Sequence, residues 1–353
     1  MKVLRSSYLL APFLLTVSIS LLVISRKCSA FAGLLNTTVS STVRLLLGAI
    51  SSAFPFSIFE LFFASVPLLL ISALIYIFYA SELREINRRF VRLLLVVVVS
   101  FSLFTVTLGV AYSAPPLTAS VIDTDTVCDS ETVLRTAELL CSEANALKES
   151  AAELDYGDIR KHLSDSYSNL LEIKGVRPAY LPVPKKLLMS SLFERMGILD
   201  FYSFMSGEVN VNANIPTCST AFTLAHEYAH FFGASGEWDA NFMAFAACIS
   251  SESDSIKYSG YITAIQYFLP QIKQNDTEMY TKVCKMLNDE VKKDVFDYSS
   301  FARAQDSAVF VAADTLNSIH LDIWDKKGKS SYSSFIELVS VYTATISKQS
   351  HTT

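Results

Sequence analysis

The sequence predicts a mainly helical α+β protein, with three N-terminal transmembrane helices ahead of one sizeable folded domain. Three observations carry that expectation. Long apolar runs crowd the chain before residue 113. A strictly alternating stretch, Glu208 to Ile215, sits among segments of helical periodicity. Immediately after it, His226 and His230 fall four residues apart on a predicted helix.

The membrane part follows from composition. The 353 residues are 51% hydrophobic and only 18% charged, against about 25% charged in an ordinary soluble domain. The excess is local: Tyr8–Ser25, Phe56–Ala80 and Leu93–Tyr112 are the apolar runs. Roughly 20 apolar residues cover the hydrocarbon core, which the second and third runs meet. The first is slightly short and has the length of a secretory signal. It reads as a retained span, because Arg26-Lys27 follows directly and no small-residue cleavage site precedes that pair. Spans at about 8–25, 56–80 and 93–112 define an anchor, residues 1–115, and Pro115-Pro116 marks the boundary with a domain over 116–353. Residues 26–55 read as a connecting loop whose apolar part, Val43–Ile50, can lie in the membrane interface.

Basic residues in short loops set orientation. Arg84, Arg88, Arg89 and Arg92 lie between the last two spans, whereas Asp123, Asp125, Asp129 and Glu131 follow the third. The short loop is therefore expected in the cytoplasm and the C-terminal domain outside it. The net charge of -5 gives no electrostatic footprint for nucleic acid. Six cysteines include no CxxC pair, which disfavours a cysteine zinc site. Free buried thiols are expected, with a Cys128–Cys141 disulfide as the alternative.

In the domain, Leu134, Leu139, Leu140 and Leu147, then Ile159, Leu163, Leu170 and Leu171, recur with helical spacing. Between Glu208 and Ile215 the apolar residues are Val209, Val211, Ala213 and Ile215, predicting a half-buried strand. Ser219 or Thr220 is expected to cap the next helix, which runs to about Phe232 before Gly233 and Gly236. A second helix is expected from Glu237 to about Ser250, and the remainder reads as mainly helical.

Four residues turn a helix by about 400°, so the imidazoles of His226 and His230 leave one face and can hold one metal ion. Glu227 is displaced by about 100° and can accept a proton from a water on that metal. A tetrahedral catalytic zinc takes three protein ligands and leaves one position open. Glu237 and Asp239 are the candidates for the third, and the turn at the two glycines favours Glu237. Asn241, one turn further on, is placed to hydrogen-bond a ligand imidazole from behind. Position 236, where the metzincin signature places a third histidine, is glycine. The strand over Glu208, Asn210 and Asn212 is expected to offer an edge to an extended substrate. Tyr258, His320 and Tyr332 are candidate donors to a developing oxyanion.

These residues also carry a resemblance. His226-Glu227-x-x-His230-x-x-Gly233 with Glu237-x-Asp239-Ala240-Asn241-Phe242 resembles an uncharacterised bacterial membrane family, domain of unknown function 3810. Phe54-Pro55-Phe56-Ser57, Gly207-Glu208 through Asn212, Tyr258-Ser259-Gly260-Tyr261, and Gly328 with Ser331-Tyr332 match it too. The resemblance implies a zinc peptidase by motif, and more order in residues 26–55 than a plain loop has. Glu237-Trp238-Asp239-Ala240-Asn241 is similar to the Glu-x-x-Ala-Asp element of membrane peptidases of the prenyl-protein protease and stress protease type. There the Glu is the third zinc ligand; here Asn stands in place of the final Asp.

The expectation is thus a multi-pass membrane protein of the bacterial cell envelope with an extracytoplasmic, zincin-like domain. It would hydrolyse a peptide or amide bond with a zinc-activated water, its partners being the lipid bilayer and a peptide or protein substrate. The rival readings are a membrane receptor or an envelope protein that uses the zinc site for signalling or structure.

Overall fold

The computed structural model describes residues 2–80, 82–122, 128–172, 180–303, 308–325 and 331–350. Asp123, Asp125, Gly175 and Gly328 lie outside the described residues. The chain is mainly helical with one small sheet, and it divides into two compact units: Met1–Pro115 with Ser203–Glu208, and Pro116–Tyr202 with Val209–Thr353.

The first unit holds α1 (Lys2–Lys27), α2 (Ser29–Leu35), α3 (Ser41–Ser52), α4 (Ile58–Phe78) and α5 (Leu83–Phe104). Two π-helical turns, Asn36–Ser40 and Thr105–Gly109, join α2 to α3 and continue α5. Among the described residues four helical segments are long and apolar enough to cross a membrane: Tyr8–Lys27, Ser29–Ser52, Ile58–Phe78 and Leu83–Ser113. Ser29–Ser52 corrects the expectation of a loop over 26–55. Its mean hydropathy is only 1.2, because Asn36, Thr37, Thr38 and Arg44 interrupt the apolar run. Those groups are satisfied internally, as burial demands. Arg44 is fully buried and donates from Nη1 to Asn36 Oδ1 at 2.9 Å and to the Thr107 carbonyl at 2.7 Å.

Inside this unit α1 runs beside α5 in the same direction. Ser18 Oγ donates to Ser102 Oγ at 2.9 Å, and four residues on, a Cβ at Gly109 would stand 3.1 Å from Leu22. The start of α4 is capped twice. Ser57 Oγ accepts from Glu60 N at 3.0 Å, the arrangement of a capping box. Glu208 accepts from Ile58 N at 2.7 Å and Phe59 N at 2.9 Å, where a helix N-terminus favours a carboxylate.

The second unit begins with α6 (Ser130–Leu147), capped by Asp129 accepting from Thr132 N at 2.7 Å, and α7 (Tyr156–Glu172). Then follow β1 (Lys185–Leu187), α8 (Ser190–Arg195), β2 (Asp200–Ser203) and β3 (Glu208–Asn212). After them come α9 (Thr217–Phe232), α10 (Glu237–Ile249), α11 (Asp254–Asn275), α12 (Thr277–Met286), α13 (Asp289–Arg303), α14 (Ala308–Trp324) and α15 (Ser331–Ser350). The helix α9 starts behind Pro216, two residues before the expected Ser219 cap. At the centre α10 is buried from Trp238 to Cys248, packed by α9, α11 and α15. Helix α11 reaches it closely because position 260 has no side chain: a Cβ there would lie 2.7 Å from Cys248 Cβ.

The sheet order is β1-β3-β2, with β1 and β3 parallel and Lys186 opposite Val211. This corrects two expectations for β3. It is the middle strand, flanked on both sides, so Glu208, Asn210 and Asn212 offer no open edge for a substrate. It is also buried on both faces. Alternation of polar and apolar residues predicts one wet face, yet two of the polar side chains, Glu208 and Asn212, have internal partners. Asn212 Nδ2 donates to the Ser190 carbonyl at 2.8 Å, and Glu208 caps α4. All six cysteines are free thiols.

Candidate metal centre

Helix α9 and the first residue of α10 build the site. Gly233 ends α9 in the left-handed region, at φ 105°, a conformation glycine adopts without steric cost. The chain turns through Ala234 to Gly236, and α10 opens on Glu237. The imidazoles of His226 and His230 stand edge to face with centroids 4.7 Å apart. Each is fixed from behind. His226 Nδ1 meets Asn241 Oδ1 at 2.9 Å, and His230 Nδ1 donates to the Ala234 carbonyl at 2.6 Å. A carbonyl only accepts, so the His230 proton sits on Nδ1 and its Nε2 presents a lone pair. Tyr267 Oη also donates to Asn241 Oδ1, at 3.4 Å.

The two Nε2 atoms therefore face each other, 3.1 Å apart. Glu237 completes a triangle: Oε2 is 3.4 Å from His226 Nε2 and Oε1 is 3.8 Å from His230 Nε2. Zinc bonds of about 2.0–2.1 Å at the tetrahedral angle hold ligand atoms about 3.3 Å apart. The three donors have that spacing, and two facing lone pairs repel unless a cation or proton lies between them. The residues present thus fit a zinc ion.

Glu227 stands beside this triangle with Oε1 4.0 Å from His226 Nε2. Its side chain is buried, and Oε2 has no hydrogen-bond partner. A buried carboxylate oxygen without a hydrogen-bond partner is costly, which sets Glu227 apart from the other acids of the site. His226, Glu227 and His230 form a group able to hold a metal, their donor atoms lying within 4.8 Å of one another. Of the two carboxylates, Glu237 fits ligation better, since it spans both imidazoles.

Asp239 is engaged elsewhere. Its oxygens accept from Leu117 N at 3.0 Å, Thr118 N at 2.8 Å and Thr118 Oγ1 at 2.6 Å. Of the two acids that open α10, Glu237 therefore faces the imidazoles and Asp239 does not.

The charges in the site shift one another. Burial disfavours the His226 cation, yet hydrogen bonding to Glu237 and the Glu237, Glu227 and Asp200 carboxylates outweigh it and raise His226 to about 10. Burial and the charge on His226 lower His230 to about 4. Desolvation acts to raise Glu237, but the two imidazoles pull it down to about 2; its side chain is 43% exposed, so water moderates that pull. Burial, then Asp200, holds Glu227 well above the usual carboxylate range.

Asp200 has no signature in the sequence. It opens β2, and burial raises its carboxyl to about 6, with His226 opposing and Glu237 adding to the rise. Tyr267 is likewise invisible to motif reading, reaching Asn241 from a helix in which nothing marks it out. Of the candidate oxyanion donors, His320 on α14 is half-buried and within electrostatic reach of Glu237. Tyr258 is occupied away from the centre, donating to Asp294 at 2.5 Å beside Lys148. That corrects its expected role. The side chain of Tyr332 lies outside the described residues.

Fold and site together define a mainly helical protein with several apolar N-terminal helices, compatible with membrane association, and a His/Glu cluster able to hold a metal. The chain belongs to the family described as "Protein of unknown function (DUF3810)", whose profile matches residues 36–340. No curated protein and no solved structure matches it.

Proposed function

We propose that the protein is a membrane-anchored, zinc-dependent metallopeptidase with a zincin-like extracytoplasmic domain, hydrolysing a peptide or amide bond. The observation that supports this best is the donor triangle of His226 Nε2, His230 Nε2 and Glu237, with spacings of 3.1, 3.4 and 3.8 Å, beside the unpartnered carboxylate of Glu227. A structural zinc closes its coordination with four protein ligands, whereas a catalytic one keeps a position open; three donors fit the second case.

His226, His230 and Glu237 hold the metal. Asn241 and the Ala234 carbonyl fix the ring orientations, which keeps both Nε2 lone pairs on the ion. A zinc ion held there would supply a water of lowered pKa and polarise the scissile carbonyl. Glu227 would serve as the general base for the attacking water and then as the general acid for the leaving amine. Its environment suits the task, because a desolvated carboxylate is a stronger base than an exposed one. The His320 imidazole is placed to face the developing charge on the carbonyl oxygen.

The test is metal content and peptide hydrolysis by purified full-length protein. About one zinc per chain is expected, lost in His226→Ala and in His230→Ala. Retention of the metal by both variants would remove the centre from these residues.

A further inference from the structure

Asp200 is the carboxylate that the proposed chemistry leaves over. Its position follows from packing. Tyr202 lies against Phe231 with ring centroids 6.3 Å apart. Asp200 and Tyr202 are two apart on β2 and so share a face; Glu227 and Phe231 are four apart on α9 and share a face. Two strand residues advance about 6.6 Å and four helix residues about 6 Å. With Tyr202 level with Phe231, Asp200 comes level with Glu227 if β2 and α9 run the same way, and two turns beyond it if they run oppositely. The charge interactions of Asp200 with Glu227, His226 and Glu237 select the first arrangement.

Three features give Asp200 a task. First, β2 is an end strand in the order β1-β3-β2, so Asp200 lies at a side of the sheet and not in its middle. Second, the site carries three carboxylates, Glu227, Glu237 and Asp200, around two imidazoles. A divalent cation offsets two of them. Among the described residues no Lys or Arg acts on Asp200. Third, Glu227, whose charge acts on Asp200, is 2% exposed and has an oxygen without a hydrogen-bond partner, a buried polar atom that a ligand's N–H or water would satisfy.

We propose that Asp200 is the specificity residue of the centre, holding a cationic nitrogen of the substrate beside the scissile bond. The assignment rests on the zinc-peptidase reading. The nitrogen has two sources, a free N-terminal amine or a Lys or Arg side chain, and both present charged N–H donors to the carboxylate.

Four probes separate these cases: lysine hydroxamate, norleucine hydroxamate and the Nα-acetyl form of each. The hydroxamate group chelates the metal and anchors every probe alike, and norleucine has nearly the shape of lysine without its ammonium. Binding to zinc-loaded full-length protein in detergent is measured by calorimetry. If the amine is the recognised group, both unacetylated probes bind about tenfold or more tighter than their acetylated forms. If the side chain is recognised, the lysine pair exceeds the norleucine pair by that factor regardless of acetylation. Asp200→Asn should erase the preference and keep the zinc. Equal affinity for all four probes in the wild-type protein overturns the Asp200 assignment while leaving the zinc centre standing, and it does so without any variant. Loss of zinc from a folded Asp200→Asn protein overturns the assignment by making Asp200 a ligand. Absence of both zinc and hydroxamate binding in the wild-type protein overturns the centre and the assignment together.

Discussion

At the scale of single residues, neighbouring acids differ because their partners differ. Asp239 is saturated by two backbone N–H groups and a hydroxyl, whereas Glu237 reaches both imidazoles and Glu227 keeps one oxygen free. The variants should separate accordingly. Glu227→Gln keeps its shape, its fold and its zinc, and loses about 10²–10⁴ in hydrolysis rate as the general base is removed. Turnover at wild-type level by the zinc-loaded variant would reject the peptidase reading. Glu237→Ala should release the metal with a modest change in unfolding midpoint. Asp239→Ala should do the opposite. It strands buried donors, at a cost of about 3 kcal/mol or more, read as a fall in denaturation midpoint, while the surviving folded protein still binds zinc. The His226/His230 pair was legible in the sequence because helix periodicity aligns the two, and Glu237 because the glycines at 233 and 236 let the chain turn back before the next helix. Asp200 was not, because its relation to α9 depends on how β2 packs, and no local spacing encodes that.

At the scale of elements, the hairpin between β2 and β3 shows why polarity pattern misled. The alternation over Glu208–Asn212 was correct as a strand and incorrect as an exposed face, since hydrogen-bond partners can bury a polar row as completely as apolar ones. Glu208 is spent on the first turn of α4, with Ser206 Oγ donating to it at 2.7 Å. The preceding Gly207 has φ 68°, and a Cβ there would fall 2.5 Å from Gly48 N. Gly207→Ala therefore combines an unfavourable backbone conformation, costing roughly 1–2 kcal/mol, with a clash against main chain that cannot rotate away. A drop in the thermal midpoint of the full-length protein is expected, and an unchanged midpoint would show that the close approach is absent. A proline at Asn210 removes a donor from a strand flanked on both sides, so loss of folded protein is expected, not a selective effect on substrate affinity.

For the whole molecule, four helical segments among the described residues are long and apolar enough to cross a membrane, and the packing of the first unit bears on which of them should do so. Arg92 Nη1 donates to Tyr76 Oη at 3.0 Å, and Arg89 donates to the Tyr76 carbonyl, so the end of α4 meets the start of α5 and the two run antiparallel. The start of α4 then lies at the far end of α5. The contacts Ser18–Ser102 and Leu22–Gly109 bring the end of α1 to that same far end. Ser29–Ser52 connects these two points, and Gly33 beside Pro115 agrees. Both its ends lie towards the same end of α5, which argues against a pass of its own by Ser29–Ser52, so the expected crossings are α1, α4 and α5. The arginines Arg84, Arg88, Arg89 and Arg92 cluster at the α4–α5 connection, which the positive-inside rule assigns to the cytoplasm. It follows that a tag ahead of Met1 and a cysteine at Ile86 should share the cytoplasmic side. A cysteine at Phe54 and the domain after Pro116 should lie opposite. In a background without native cysteines, an impermeant maleimide applied to intact cells should label position 54 at once and position 86 only after permeabilisation. An N-terminal tag exposed on intact cells would make Ser29–Ser52 a fourth crossing, and labelling of position 86 from outside would invert the orientation and place the metal centre in the cytoplasm.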